Sequence, residues 1–119
     1  MFSIFKKLRA TRGAISTENI ATQIKEDSLS LYNEVIEANK IKEKDIVVVQ
    51  FSLTKDLFLY NPCTALREKG LLLNTALFTS LEPHIEGAMP CVIRILILYY
   101  SRWKPIYVYK KEAKNLRKM

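Results

Sequence analysis

The sequence has 119 residues, of which 49% are hydrophobic and 26% charged, with only three glycines, four prolines and a net charge of +7. This composition is typical of a single globular domain spanning residues 1–119 and not of a disordered chain. No apolar run reaches the roughly 18 residues of a membrane-spanning helix, and the opening MFSIFKKL reverses the charge order of a signal peptide. We therefore expect a soluble, cytoplasmic protein with no membrane partner.

The first half of the chain predicts a strand, a long helix and a second strand. LRATRGAI is the first strand, and STENIATQIKEDSLSLYNEVIEANK is a helix capped by Ser16 or Thr17, with Glu18 in its first turn. An apolar stripe, which faces a sheet, runs along this helix through Ile20, Ile24, Leu31 and Val35. The strand IVVVQFSL opens on the β-branched run Ile46–Val49, which predicts a central strand covered on both sides.

The second half predicts a short helix followed by strands. CTALREKG is a helix of about two turns that Gly70 ends, and LNTALFTSLE and VIRILILYY are strands. The short strand PIYVYK leads into a basic tail, residues 110–119. The order β-α-β-α-β-β indicates an α+β fold, a mixed sheet with one long and one short helix.

The positive charge lies at the two ends of the chain. Residues 1–9 carry +3, and residues 110–119 carry +4 from five bases and one acid, so that residues 10–109 are balanced. Basic tails on a neutral body usually serve solubility, with contact to a phosphate backbone as the alternative, and no nucleic-acid-binding motif accompanies them. We expect no nucleic-acid partner.

Nucleophile and metal chemistry have few candidates. Cys63 and Cys91 are the only cysteines and His84 is the only histidine, too few for a disulfide framework, a zinc site or a catalytic triad. Ser52 to Lys55 fits S-x-x-K, but the companion motifs S-D-N and K-T-G are absent. We expect no metal, and an enzyme with this sequence would work by binding and electrostatics.

Arg94 is the one charged residue within VIRILILYY. Strand alternation places it on one face with Leu96, Leu98 and Tyr100. A buried guanidinium needs compensation, which either a partner carboxylate or an anionic ligand supplies, and the pattern leaves both open. The same two alternatives, a partner carboxylate or an anionic ligand, apply to Arg12 and Arg67. An isolated arginine of this kind, however, is more often a surface residue than part of a site.

In their order and spacing, these stretches resemble the monofunctional AroH-class chorismate mutases of bacteria. The stretches that carry the resemblance are RATRGA, DIVVVQFSLTKDL, ALREKG, Glu82, GAMPCVIRILI and VYKKEAKNLR. The resemblance covers about residues 8–117. It implies the rearrangement of chorismate to prephenate in phenylalanine and tyrosine biosynthesis, without a cofactor. It also implies a homotrimer around a barrel-like core, with active sites between subunits.

The resemblance also implies roles for individual residues. Arg94 would hydrogen-bond the ether oxygen of the breaking bond, Arg12 and Tyr109 would hold the enolpyruvyl carboxylate, and Glu82 would accept the ring hydroxyl. The remaining expected substrate-binding positions line the pocket wall or cover its mouth, some from the adjacent subunit. These positions are Asn61, Arg67, Phe78, Thr79, Ser80, Leu81, Leu116 and Arg117.

The sequence departs from the family pattern at three positions on the pocket wall or rim. Thr79 stands where well-known members have Cys, Asn61 where they have Phe, and Thr64 where they have Lys, which affects affinity more than chemistry. Residues 1–8 have no counterpart. The rival hypothesis is a non-catalytic trimeric module that keeps the fold and binds a small carboxylate anion. The intact charged and hydroxyl residues at 12, 82, 94 and 109 favour the enzyme.

Overall fold

The structure is a computed structural model that describes residues 5–117, without the side chain of Arg117. It contains five strands: β1 (Lys7–Ser16), β2 (Ile46–Leu53), β3 (Ala76–Leu81), β4 (Val92–Ser101) and β5 (Val108–Lys110). Two α-helices, α1 (Ala21–Asn39) and α2 (Pro62–Glu68), and two 3₁₀ helices, Glu43–Asp45 and Lys111–Arg117, complete the order. We call Lys111–Arg117 the C-terminal segment.

The five strands form one mixed sheet in the order β3-β2-β4-β1-β5. The central strand β4 pairs antiparallel with both β1 and β2, while β3 lies parallel to β2 and β5 parallel to β1. The predicted α+β class, with one long and one short helix, is confirmed, and β5 is the fifth strand of the sheet. No helix in residues 5–117 has both the length and the apolar character that crossing a membrane requires.

The predicted start of α1 is wrong, although its buried stripe is largely right. The helix begins at Ala21 after Ile20, with no side-chain cap and no acidic residue in its first turn. Neither Ser16 nor Thr17 caps the helix, because both precede its N-cap position, Ile20, and the Thr17 hydroxyl instead donates to Asp27 Oδ2 at 2.6 Å. Ile20 is 49% exposed, whereas the three later members of the stripe are fully buried.

The core lies between the two α-helices and one face of the sheet. Its largest side chains come from α1, the three central strands and the segments around α2. Gly13 makes the close approach of β1, α1 and β5 possible. A Cβ at this position would lie 2.6 Å from the Val108 carbonyl oxygen and 3.2 Å from both Leu31 Cδ1 and Val35 Cγ2.

Within residues 5–117, the other face of the sheet carries no α-helix, and we call it the open face. The prediction that β2 is covered on both sides is therefore wrong within one chain. Val49 and Phe51 are fully buried towards the helices, whereas Val47 is 47% exposed and Gln50 and Ser52 are only partly buried. The β-branched run Ile46–Val49 therefore reflects the preference of these residues for strands and not burial on both sides of the sheet.

Candidate active site

A cavity of about 250 Å³ opens on the open face. Strand alternation directs side chains from β1, β2 and β4 into it, and β5 closes one side. Its lining residues are Arg12, Gly13, Gln50, Ser52, Arg94, Ile95, Leu96 and Tyr109. The sheet thus brings together three of the four residues expected to carry catalysis, and the fourth, Glu82, contacts Arg94 directly.

Arg94 occupies the centre of this arrangement. It pairs with Ser52 on β2 and with Ala14 on β1. Its Nε lies 2.7 Å from Glu82 Oε1, and the same oxygen accepts a hydrogen bond from Ser52 Oγ at 2.7 Å. Glu82 is fixed in turn because its backbone N–H donates to the Leu53 carbonyl at 2.8 Å. Arg94 therefore has a partner carboxylate and also lines a cavity that can receive a ligand.

Arg94 is less buried than its strand suggested. Its side chain is 43% exposed, while that of Glu82 is 20% exposed. The apolar residues of VIRILILYY that point to the helices, such as Ile93, Ile95 and Ile97, are the ones that form the core. Alternation was thus predicted correctly, and the face that carries Arg94 is the open one.

Arg12 and Tyr109 lie on the far side of the cavity from Glu82. Arg12 pairs with Leu96, and its guanidinium carbon lies 4.8 Å from the centre of the Tyr107 ring. This cation–π contact restricts the side chain without neutralising its charge. Tyr109 pairs with Ala14, the β1 residue that also pairs with Arg94. One row across the sheet therefore carries Ser52, Arg94 and Tyr109.

The charges of the cavity suit an anionic ligand. Two guanidinium groups, those of Arg12 and Arg94, face one carboxylate, that of Glu82. Arginine is suited to binding carboxylates because its planar fork donates two parallel hydrogen bonds. We therefore expect a ligand that carries carboxylate groups and at least one polar oxygen near Arg94.

The predicted wall from Phe78 to Glu82 divides between the two faces of the sheet. Ser80 lies on the open face, where it accepts a hydrogen bond from Gln50 Nε2 at 3.1 Å, and Phe78 pairs with Gln50. Thr79 instead pairs with the buried Phe51, and Leu81 pairs with Leu53, so both lie on the side that carries α2. In one chain, the side chains at 79 and 81 do not line the cavity.

Three expected substrate-binding residues gather beside α2, and we call Asn61, Arg67 and Thr79 the rim group. Asn61 caps α2, since its Oδ1 accepts from Cys63 N at 2.9 Å, and it also accepts from Thr79 Oγ1 at 2.8 Å. Arg67 donates to the carbonyl of Thr75 at 3.1 Å and to that of Leu72. The rim group is thus organised by local bonds, and none of the three lines the cavity of its own chain.

The cysteine beside the rim group is not activated as a nucleophile. Burial raises the pKa of the Cys63 thiol above its usual value, against the opposing effects of a bond to Thr79 and the charge of Arg67. The thiolate is the reactive form of cysteine. Within residues 5–117, no cluster of histidine, cysteine, aspartate or glutamate is arranged to hold a metal ion.

The C-terminal segment packs on the sheet beside Tyr109. Ala113 is fully buried against Ala14 and Val92, and Leu116 packs on this cluster together with Tyr109. Leu116 does not line the cavity of its own chain, so its expected place over the mouth of an adjacent subunit's site stays a prediction. The side chain of Arg117 lies outside what the structure describes.

Sequence reasoning missed Gln50 and Ser52. A signal for them was present, because they are the two polar residues in the apolar strand IVVVQFSL and lie two positions apart, hence on one face. Ser52 is the more important of the two, since it orients the carboxylate of Glu82.

Comparison with known proteins agrees with this arrangement. Residues 8–119 match the family model described as chorismate mutase type I. A solved structure, a chorismate mutase from Clostridium thermocellum, is 31% identical, with a TM-score of 0.84 over 89% of this chain and 97% of that one. No curated protein matches the sequence significantly. The chain therefore belongs to the type I chorismate mutase family and is an isomerase with that activity, the rearrangement of chorismate to prephenate.

Proposed function

We propose that the cavity beside Arg94 is the site of this reaction, and that Arg94 stabilises the charge that develops in the transition state. The observation that carries the proposal is the guanidinium of Arg94, which lines the cavity while Glu82 holds its Nε at 2.7 Å. Breaking the C–O bond runs ahead of forming the C–C bond, so negative charge collects on the ether oxygen. A donor fixed at that oxygen binds the transition state more tightly than the substrate, which lowers the barrier.

The enolpyruvyl carboxylate is assigned to Arg12 and Tyr109. Arg12 is held by the ring of Tyr107, so less of its side-chain freedom is lost when it binds the ligand. Tyr109 lies in the same row of the sheet as Arg94. Because Arg12 and Arg94 line the same cavity, one substrate can contact both, with its carboxylate at Arg12 and its ether oxygen at Arg94.

Glu82 is assigned two tasks. Its Oε1 already accepts from Ser52 and contacts Arg94, so we place the ring hydroxyl of the substrate on Oε2. The carboxylate then orients both the guanidinium and the ring. Holding a flexible substrate in a compact, chair-like conformer supplies much of the rate enhancement of a unimolecular rearrangement.

We infer that the working enzyme is a homotrimer whose sites lie between subunits. The rim group lies on the α2 side of the sheet and does not line the cavity of its own chain, so a neighbouring copy is the simplest way for it to contribute. The open face also presents exposed apolar side chains, with Phe78 at 58% and Leu96 at 37% exposed. A patch of this kind is typical of an interface. In this assembly the substrate-binding set would be completed by Asn61, Arg67, Phe78, Thr79, Ser80, Leu81, Leu116 and Arg117.

The physiological role follows from the reaction. Prephenate is the precursor of phenylalanine and tyrosine, so we propose a role in their biosynthesis in the cytoplasm. Membership of the family favours an enzyme over a non-catalytic anion-binding module of the same fold.

The decisive experiment follows the loss of chorismate absorbance with purified protein. Replacing Arg94 with Ala is expected to lower kcat by about 10²–10³, the scale for losing one preorganised donor to developing charge. Arg94→Lys should recover only part of this loss, because lysine keeps the charge without the planar fork. Turnover like that of the wild type in Arg94→Ala would contradict the proposal, provided that its melting temperature shows a folded protein.

A further inference from the structure

Helix α1 contacts the segment from Ile106 to Lys111, which contains β5, at three points. Asn39, at the end of the helix, accepts from the Ile106 backbone N–H at 2.7 Å and donates to its carbonyl at 2.9 Å. In the middle, Lys110 lies 3.0 Å from Glu34 Oε2. At the far end, Lys111 reaches Asp27. Helix α1 therefore determines where β5, and with it Tyr109, lies against the cavity.

In the contact between Lys111 and Asp27 the carboxylate is buried, while the lysine side chain is 47% exposed. Lys111 Nζ donates to both carboxylate oxygens, at 2.9 and 3.0 Å. Asp27 also accepts from Thr17 Oγ1 at 2.6 Å and from Gln23 Nε2 at 3.0 Å, and its side chain is only 7% exposed. Burial raises the pKa of Asp27, but these hydrogen bonds and the charge of Lys111 together bring it below the usual value. The carboxylate is thus ionised at neutral pH and bound by three donors.

Lys111 also occupies the turn from β5 into the C-terminal segment. Its φ of 55° lies in the left-handed region, which favours glycine over residues with a side chain. One residue later, the Glu112 N–H donates to Ser16 Oγ at 3.0 Å. Ala113 then packs, fully buried, on Ala14 and Val92. The side chain at 111 therefore compensates for an unfavourable backbone conformation that directs the segment onto Ala14 and Val92, beside Tyr109.

We propose that Lys111 and Asp27 form a clamp that positions Tyr109 and the C-terminal segment for substrate binding. The inference rests on the proposed function of the cavity. Neither residue lines the cavity, so both are positioning residues. Arg94 and Glu82 are held by β2, β4 and the end of β3, away from the clamp. Loosening the clamp therefore affects KM for chorismate and leaves kcat nearly unchanged.

The test compares Lys111→Met, Asp27→Asn and the double variant. Each single change is expected to raise KM for chorismate roughly tenfold, with kcat within about twofold. This is less than the effect of breaking a fully buried charge pair, because Asp27 is buried while Lys111 is 47% exposed. The double variant should be no worse than the worse single one, because the two side chains act through one contact. Lys111→Arg, which keeps the charge, should restore most of the affinity.

Lys110→Met is the matched control, since it removes the neighbouring lysine, the last residue of β5. Lys110 Nζ contacts Ser30 Oγ and Glu34, and the Glu34 side chain is 48% exposed, whereas that of Asp27 is 7% exposed. Removing Lys110 therefore leaves no buried carboxylate without its cation, and KM should stay within about twofold of wild type. Equal effects at 110 and 111, additive effects in the double variant, or an unchanged KM in both single variants would overturn the clamp.

Amide hydrogen exchange gives a second readout that does not depend on turnover. The Glu112 amide and its neighbours in the C-terminal segment should exchange faster in Lys111→Met than in Lys110→Met or the wild type. Unchanged exchange would contradict the clamp even if activity fell. If Arg94→Ala kept full turnover, the proposed function would fail while this measurement still tested the clamp, so the two failures are distinguishable.

Discussion

At the scale of single residues, the pair between Arg94 and Glu82 serves orientation more than stability. With side chains 43% and 20% exposed, it resembles a partly exposed ion pair, and such pairs stabilise the fold by about 0–1 kcal/mol. Its value lies in fixing a guanidinium whose position would otherwise be flexible. A donor that is already oriented needs no reorganisation when charge develops on the ligand. Arg94 thus has a partner carboxylate and also lines the cavity, so the two alternatives left open by the sequence are compatible in one residue.

Ser52 provides a prediction at this scale, because its hydroxyl orients Glu82 at 2.7 Å. Ser52→Ala removes one hydrogen bond to a charged group, worth about 1.5–3 kcal/mol, and we expect kcat/KM to fall by roughly tenfold or more. Ser101→Ala is the matched control, since it makes the same change at the end of β4, where Ser101 Oγ accepts from the Trp103 N–H and does not line the cavity. Steady-state kinetics of both variants check this. Equal losses in the two would show that Ser52 has no special role.

At the scale of elements, the sequence predicted correctly the strands in which the pattern of apolar residues directly reflects which side chains are buried. The bounds of β2 match IVVVQFSL, and β4 contains all of VIRILILYY, because period-two alternation and β-branched residues are strong local signals. The start of α1 was missed because Thr17 has a tertiary partner, Asp27, that lies ten residues away. A capping signal competes with such contacts, and one sequence does not show them.

The site was predictable in composition but not in arrangement. Arg12, Arg94 and Tyr109 come together because β1, β4 and β5 are neighbours in the sheet, and Glu82 reaches Arg94 from the end of β3, on the other side of β2. Local patterns do not reveal this order. The division of the segment 78–82 between two faces follows from the register of β3 with β2. The contact between Lys111 and Asp27 spans 84 positions and carries no local signal at all.

Gly13→Ala tests how far β5 depends on its close approach to β1. The new Cβ would lie 2.6 Å from the Val108 carbonyl oxygen, a backbone atom, so β5 must move. Overpacking of this kind typically costs about 1–3 kcal/mol of unfolding free energy. We expect that loss in denaturant titrations, together with a raised KM, because β5 carries Tyr109.

Gly70→Ala is the control for this change. Its φ of 74° makes alanine strained there, yet a Cβ would meet no atom within 4 Å. It should therefore reduce stability by a similar order, about 1 kcal/mol, while leaving KM unchanged. If Gly13→Ala lowered stability without affecting KM, the position of β5 would not limit substrate binding.

At the scale of the whole molecule, we propose that each chain contributes two separate halves to sites shared with its neighbours. The cavity with Arg94 lies on the open face, and the rim group with Arg67 lies beside α2 on the opposite side of the sheet. A cyclic assembly of identical chains brings such different surfaces together, since each copy offers one half to each neighbour. Sedimentation of the active enzyme should then report about three chains, consistent with a closed ring.

Mixing two inactive variants tests the shared site directly. Arg94→Ala damages the cavity half and Arg67→Ala the rim half, so homotrimers of either should have low activity. When equal amounts are refolded together, about a quarter of all sites in the mixture combine two intact halves by random assembly, and roughly that fraction of wild-type activity should return. Simple mixing of the folded variants, without subunit exchange, is the control and should stay inactive. Heterotrimers purified with two different tags that showed no recovery would mean that Arg67 and Arg94 act within the same chain.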